Sequence, residues 1–158
     1  MDDRLYRLVQ TIARYPKDKE YALVLFEDGY ISSHLYNTQE LAVIPVYNRV
    51  HGRAIAVVHT HPIPRTAPSI ADLKTLAIMS RYGTPAHLVT VFSYKDRVKV
   101  TVYTAKRRID PEELKEIMML SSHYEHIPLL SDKQVREQAY KLRKYGIVVE
   151  RYDLMLKD

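Results

Sequence analysis

The chain contains no cysteine and no tryptophan, and it has only two phenylalanines and four glycines among its 158 residues. Without cysteine it has no disulfides, no thiolate metal ligands and no cysteine nucleophile. A zinc deaminase is excluded for the same reason, because its metal site needs a pair of cysteines beside a histidine. No apolar run of about 18 or more residues is present, so we expect no membrane-spanning helix.

The amino terminus, MDDRLYRLVQ, is acidic from its second residue and lacks the basic and then apolar layout of a signal peptide. We therefore expect a cytoplasmic protein. A hydrophobic content of 46% with 27% charged residues is typical of a globular domain that buries a core. The net charge of +5 admits a nucleic-acid partner but is more typical of a solvated basic surface.

Helical and extended patterns alternate along the chain, which predicts an α/β fold with a single mixed β-sheet flanked by helices. The predicted helices cover residues 3–15, 72–82, 111–120 and 132–145, and the predicted strands cover 21–26, 30–36, 41–44, 54–58, 87–94, 98–103 and 147–149. The Asp28-Gly29 pair predicts a hairpin turn. Valines at every second position from 98 to 102 predict a strand with one buried face and one wet, solvent-exposed face.

Two histidines, a serine and an aspartate lie close together in the segment HTHPIPRTAPSIAD, which runs from His59 to Asp72. His59 and His61 end a buried strand, and because side chains alternate along a strand they point to the same face. Catalytic zinc needs three protein ligands and one open position. Asp72 is the obvious third ligand, because the ten residues between it and His61 allow a loop to return the chain. The segment therefore predicts one Zn²⁺ held by His59, His61 and Asp72, although other transition metals are not excluded.

Each part of this segment also has a purely structural interpretation. Paired histidines on a strand are often only polar neighbours. Ser69 and Asp72 match the Ser-x-x-Asp pattern of a helix start, in which both side chains bind free backbone N–H groups. The prolines at 62, 64 and 68 would stiffen a loop. The residues alone leave both interpretations open.

The arrangement His59-x-His61-Pro62-x6-Ser69-x2-Asp72 resembles the signature of the JAMM, or MPN+ (Mov34/MPN/PAD-1), metalloproteases. This family includes deubiquitinating subunits of the proteasome lid and the signalosome, together with prokaryotic relatives. Matching five specified positions by chance has a probability on the order of 10⁻⁴ to 10⁻⁵ for a chain of this length. The resemblance covers residues 5–105, about two thirds of the chain.

The resemblance implies the JAMM/MPN fold, with cytidine-deaminase-like layering, in a single domain over residues 1–158. Residues 1–105 would form the core that bears the motif, and residues 106–158 would add a C-terminal helical extension and a final strand. It also implies a glutamate at the start of the first strand as general base. Glu20 fits that position, with Glu27 and Glu40 as alternatives. Position 23 is leucine, where many eukaryotic members have glycine, and the run from Glu20 to Asp28 is more similar to the bacterial RadC branch.

By the same resemblance, Ser69 would donate a hydrogen bond to the oxyanion, and Arg65 would lie where it could touch substrate. The implied reaction is hydrolysis of a peptide or isopeptide bond after the C-terminal tail of a ubiquitin-like modifier. In a prokaryote this modifier would be a sulfur-carrier-like protein. Such a tail would bind as an added strand at a sheet edge.

The likeness to RadC supports an alternative, a non-proteolytic metal-binding scaffold or a nucleic-acid-associated domain. The densest cationic cluster lies in the predicted helix from residue 132. A solvated helix face is more typical of such a cluster than a nucleic-acid site. Its members are Lys133, Arg136, Lys141, Arg143 and Lys144. Two further histidines, His123 and His126, are predicted to lie on the surface.

Overall fold

The computed structural model describes residues 1–36, 45–61, 67–127 and 129–157. Within this part of the chain the helices are Asp3–Ile12 (α1), Ile70–Tyr82 (α2), Pro111–Glu125 (α3) and Asp132–Leu142 (α4), and a short 3₁₀ turn follows at Arg143–Tyr145. The strands are Glu20–Phe26 (β1), Ile31–Tyr36 (β2), Tyr47–Asn48 (β3), Gly52–Thr60 (β4), Ala86–Tyr94 (β5), Arg97–Ala105 (β6) and Ile147–Met155 (β7).

The strands form one sheet in the order β2-β1-β4-β5-β6-β7, and β3 pairs with the start of β4. β4 and β5 run parallel and are joined by α2, whereas the other pairs among the described strands are antiparallel. The β1–β2 hairpin turns at Asp28-Gly29, where Gly29 adopts a φ of +93° that favours glycine. The prediction of an α/β fold with one mixed sheet flanked by helices is confirmed.

The helices cover the two faces of the sheet unequally. α2, α3 and α4 pack on one face, and α1 packs on the other. The central strand β4 contributes to both cores, since Val57 packs with Leu73 of α2 and Val58 packs with Val9 of α1. An apolar, β-branched run without alternation is expected of such a strand, because both of its faces are buried.

Strand β6 differs from its prediction. Val98, Val100 and Val102 are buried against the α1 side as the alternation indicates, but Tyr103 and Ala105 are buried on the opposite face. β6 is an internal strand between β5 and β7, so helices cover both of its faces over most of its length. The prediction of one wet face was therefore wrong.

Several element ends also differ from the predictions. α1 ends at Ile12 rather than residue 15, α3 continues to Glu125, and the final strand runs on to Met155. β7 pairs with β6 from Ile147 opposite Ala105 to Met155 opposite Arg97, so the C-terminal segment belongs to the same sheet. The strand predicted at 41–44 lies outside the described residues. No helix in the described part of the chain is long and apolar enough to cross a membrane.

Candidate metal centre

The two histidines are placed by the end of the central strand β4. His59 is the cross-strand partner of Ala22 in β1 and lies level with Thr90 in β5, so it is held between two neighbouring strands. The backbone N–H of His61 donates to the Val91 carbonyl at 3.2 Å, which continues this support beyond the last strand residue. Both side chains are buried, with 3% and 5% exposure. As the alternation of a strand predicts, their rings meet on one face of the sheet, which is the face covered by α2.

Asp72 reaches this face from the first turn of α2. Ser69 is the N-cap, and its Oγ accepts a hydrogen bond from the backbone N–H of Asp72 at 3.1 Å. In return Asp72 Oδ2 accepts from the backbone N–H of Ser69 at 2.8 Å, which completes a capping box. The cap holds the Asp72 carboxylate in place, and the same oxygen faces the two imidazoles.

Three potential ligand atoms converge at this point. His59 Nε2 lies 3.2 Å from His61 Nε2 and 3.1 Å from Asp72 Oδ2, and His61 Nε2 lies 3.6 Å from Asp72 Oδ2. Ligands placed tetrahedrally at bond lengths of about 2.0 Å are about 3.3 Å apart, so this triangle has the size that a single metal ion requires. His59, His61 and Asp72 form the group that could hold a metal ion among the described residues. Their donor atoms are two imidazole nitrogens and one carboxylate oxygen, a set that suits zinc.

The electrostatics of the triangle also favour a cation. Burial by itself lowers the pKa of the His59 imidazole, but the negative charges of Asp72 and Glu20 outweigh it and the pKa is raised. Burial by itself raises the pKa of Asp72, but the two imidazoles hold it well below its usual range. The site therefore stabilises positive charge at its centre, as a metal site must.

Glu20 lies beside the triangle without belonging to it. It is two residues before Ala22, the cross-strand partner of His59, so the alternation of β1 places Glu20 on the same face of the sheet as His59. Its side chain is partly buried. Its charge contributes to the raised pKa of His59, which shows that the carboxylate lies within electrostatic reach of the ligands.

The alternatives to Glu20 have different positions. Glu27 follows the far end of β1, about 20 Å along the strand from the Glu20 end. There it contacts Arg53 at 3.9 Å and packs against Gly52, so it is not part of the site. Glu40, Pro62 and Arg65 lie outside the described residues.

Ser69 is both a helix cap and a neighbour of the ligands. Its oxygen accepts from Asp72 N–H, but a hydroxyl also carries one proton that it can donate. The two interpretations of the Ser-x-x-Asp pattern are therefore compatible. The cap uses an acceptor site of the hydroxyl and does not use its proton.

The other histidines are not part of this group. His34 in β2 is paired with Ala22, as His59 is, so it lies on the same face of the sheet, and its Nε2 contacts Ser32 Oγ at 2.9 Å. His51 Nδ1 contacts Asp28 Oδ2 at 2.6 Å at the far end of β1, and His87 Nδ1 contacts Thr104 Oγ1 at 2.8 Å between β5 and β6. His123 and His126, near the end of α3, are exposed, as predicted.

One residue of structural importance was missed by the sequence analysis. The Thr60 Oγ1 accepts a hydrogen bond from Tyr21 N–H at 3.0 Å. This bond ties the strand that carries Glu20 to the strand that carries both histidines. Thr60 lies between the two histidines in the sequence, but nothing in its type or spacing indicates this role.

The fold and the site define an α/β protein with a candidate metal centre at the end of its central strand. The chain matches no protein-family model, no curated protein and no solved structure. The likeness to the JAMM metalloproteases therefore rests on the motif residues and their spacing.

Proposed function

We propose that this protein is a zinc-dependent metallopeptidase that hydrolyses a peptide or isopeptide bond. The single observation that carries the proposal is the triangle of His59, His61 and Asp72, with its edges close to a tetrahedral zinc set and Glu20 on the same face. A buried ion pair alone would not need two imidazoles directed at one carboxylate oxygen. Three protein ligands and an adjacent carboxylate are the composition of a hydrolytic zinc site.

Zinc bound at this triangle would lower the pKa of a water molecule toward neutrality and polarise the substrate carbonyl. The role proposed for Glu20 is general base catalysis. Its carboxylate accepts the proton of the attacking water and passes it to the leaving nitrogen. Glu20 lies on the same face of the sheet as His61 but outside the ligand triangle. Its carboxylate is therefore not needed as a metal ligand and can act as a base.

Ser69 has the proposed role of an oxyanion donor. Its hydroxyl proton is directed to the carbonyl oxygen as negative charge develops there, while its oxygen continues to cap α2. The cap also orients Asp72, so a single helix start supplies one ligand and one donor.

We propose as substrate the C-terminal tail of a ubiquitin-like or sulfur-carrier protein, on the basis of the motif resemblance. An extended tail can add to a sheet edge by main-chain hydrogen bonds. β2 is the edge strand next to β1, and within the described residues its outer side carries no further strand. A tail paired there would approach Glu20 from the side of the sheet on which β2 lies.

Elemental analysis combined with a digest tests this function. Purified protein is expected to contain about one zinc per chain and to cleave a linear fusion of a ubiquitin-like protein at its tail. A chelator should abolish cleavage, and added zinc should restore it. Bound zinc without cleavage of any modifier fusion would favour the alternative, a non-proteolytic metal-binding scaffold. Absence of zinc from protein purified without chelator would contradict the proposal itself.

A further inference from the structure

The fold joins two basic segments that are far apart in the sequence. Residues 106–108 follow β6, and residues 141–144 end α4 and enter the 3₁₀ turn. The backbone N–H of Lys106 donates to the Gly146 carbonyl at 2.8 Å, and Arg107 Nη2 donates to the Lys144 carbonyl at 2.9 Å. We call the resulting surface the basic corner. Its cationic residues are Lys106, Arg107, Arg108, Lys141, Arg143 and Lys144, all of them exposed.

The charges of the basic corner are only partly neutralised. Arg107 forms a bidentate pair with Glu113 at 3.0 and 2.8 Å, and Arg108 lies 3.4 Å from Asp110.

The cations at the end of α4 have a different environment. In the described part of the chain, Lys141, Arg143 and Lys144 form no ion pair with a carboxylate. The two lysines lie over the rings of Tyr124 and Tyr145 instead. The Tyr145 hydroxyl donates to Glu116 at 2.6 Å, so a carboxylate lies close to Lys144, and Lys141 and Arg143 carry the charges that are most available to an anionic ligand.

A groove of about 510 Å³ opens between α3 and α4 at this place. Leu120 lines it from α3, and Tyr140, Lys141, Arg143 and Lys144 line it from the other side. The Tyr140 side chain is 77% exposed, so its ring is accessible to a ligand at the groove. Helical spacing places exposed Arg136 and Lys133 on the same side of α4 as Tyr140, and Lys133 pairs with Glu137 at 4.0 Å.

We propose that the basic corner, together with Tyr140, binds single-stranded nucleic acid. Cations without carboxylate partners attract a phosphate backbone, and an exposed aromatic ring among them offers a stacking surface for a base. An acidic protein segment would also be attracted to the cations, but it would have no need of the exposed ring. This combination of features favours nucleic acid over an acidic protein.

The basic corner is separate from the candidate metal centre. Ala105, directly before the corner, is paired with Ala86 at the start of β5, whereas His59 lies level with Thr90, four residues further along the same strand. Nucleic-acid binding is therefore expected to be independent of zinc and of hydrolytic activity. The protein can bind nucleic acid whether or not it binds zinc, and it can bind zinc whether or not it binds nucleic acid.

The first test measures binding of a fluorescein-labelled oligothymidylate by anisotropy over a series of salt concentrations. The double variant Arg143→Gln/Lys144→Gln should bind about tenfold more weakly at low salt, and its log–log salt slope should fall by about 1.4 in magnitude. The control Arg4→Gln/Arg7→Gln removes the same charge from exposed positions on α1 and should bind like the parent protein. No binding at low salt, or equal losses in both double variants, would overturn the proposal.

The second test separates nucleic acid from an acidic protein. Tyr140→Ala should weaken oligothymidylate binding about tenfold, and Tyr140→Phe, which keeps the ring, should retain it. Polyglutamate should compete only weakly. Strong binding of polyglutamate, combined with no effect of Tyr140→Ala, would overturn the proposal and indicate that the ligand is an acidic protein. Zinc content and circular dichroism spectra of all variants should match the parent, because the substituted side chains are exposed.

Discussion

α2 and α4 begin with the same local structure, and only one of the two helix starts faces a candidate metal site. At α2, Ser69 Oγ accepts from Asp72 N–H at 3.1 Å and Asp72 Oδ2 accepts from Ser69 N–H at 2.8 Å. At α4, Ser131 Oγ accepts from Gln134 N–H at 3.2 Å and Gln134 Oε1 accepts from Ser131 N–H at 2.9 Å. Both are complete capping boxes.

The difference lies in what each helix start faces. Buried His59 and His61 stand opposite the start of α2, whereas the start of α4 is exposed, with an Asp132 side chain that is 85% accessible. The third residue after the cap is a charged aspartate in the first case and a neutral glutamine in the second. A capping pattern in sequence therefore indicates a helix start in both places, and the tertiary neighbours decide whether it can also contribute to a metal site.

The largest expected effect is loss of zinc in Asp72→Asn. The amide oxygen of asparagine can still accept from Ser69 N–H, so the cap survives while the anionic ligand disappears. Zinc should fall from about one per chain to near zero, as measured by elemental analysis after dialysis, and His59→Ala and His61→Ala should behave in the same way. The matched change Gln134→Glu places a carboxylate at the corresponding position of α4 and should bring no additional zinc. Full zinc retention in Asp72→Asn would remove Asp72 from the ligand set.

Glu20→Gln should lower kcat by about 10²- to 10⁴-fold, because an amide cannot accept the proton of the attacking water. Zinc content should remain at the parent level, since Glu20 lies outside the ligand triangle. Glu27→Gln is the control, because it makes the same chemical change near the far end of the same strand and should leave kcat unchanged. Parent-level turnover of the modifier fusion by Glu20→Gln would exclude Glu20 as the base.

Ser69→Ala and Ser131→Ala compare the two helix starts directly. Each should reduce the free energy of unfolding by about 1 kcal/mol, the usual cost of a lost cap. Only Ser69→Ala should also reduce kcat, by about 100-fold, because it removes the proposed oxyanion donor. Urea unfolding and steady-state kinetics on both variants measure the two effects. Equal kcat values in the two variants would show that Ser69 acts only as a helix cap.

The smallest expected effect concerns a sheet histidine that has no carboxylate opposite it. Burial, together with the charge of Lys106, lowers the pKa of His87, whereas the carboxylates beside His59 raise the pKa of that residue. A lowered histidine pKa means that the folded protein binds fewer protons than the unfolded chain. The contribution of His87 to stability is therefore fully present above about pH 6.5 and is lost as the pH falls below that value.

His87→Gln should accordingly be less destabilised by acid than the parent between about pH 6.5 and 5, relative to its own stability at neutral pH. Urea unfolding at several pH values measures this difference. His123→Gln is the control, because it makes the same substitution at an exposed position of α3. A slope for His87→Gln that equals the parent slope would show that His87 does not titrate in this range.

Several features could be predicted from local patterns because their causes are local. Ser69 and Ser131 stand at the N-caps of α2 and α4, where their side chains replace missing backbone partners, and Asp110 stands at the N-cap of α3. The Asp28-Gly29 turn follows from the freedom of glycine at positive φ. The convergence of His59 and His61 follows from strand alternation alone, and it is the reason that a metal site could be predicted.

Other features depend on pairing between distant segments. The alternating valines of β6 indicate one buried face. The burial of Tyr103 on the other face depends on α2, α3 and α4, which cover that face. The position of Glu20 also depends on pairing between distant segments. Its place on the same face as His59 is set by the β1–β4 ladder, and the Thr60–Tyr21 hydrogen bond ties the two strands together there; neither has a sequence signal.

By itself, the sequence determined which chemical groups are available. It supplies two imidazoles and a carboxylate at a spacing that a strand, a loop and a capped helix can bring together. It supplies no cysteine that could act as a competing metal ligand. The tertiary structure alone decided that Glu20 rather than Glu27 lies beside that triangle, and that residues 106–108 meet residues 141–144. The physical reason is the range of the interactions. Caps, turns and alternation act within a few residues, whereas sheet register and helix packing join segments that only the folded chain brings into contact.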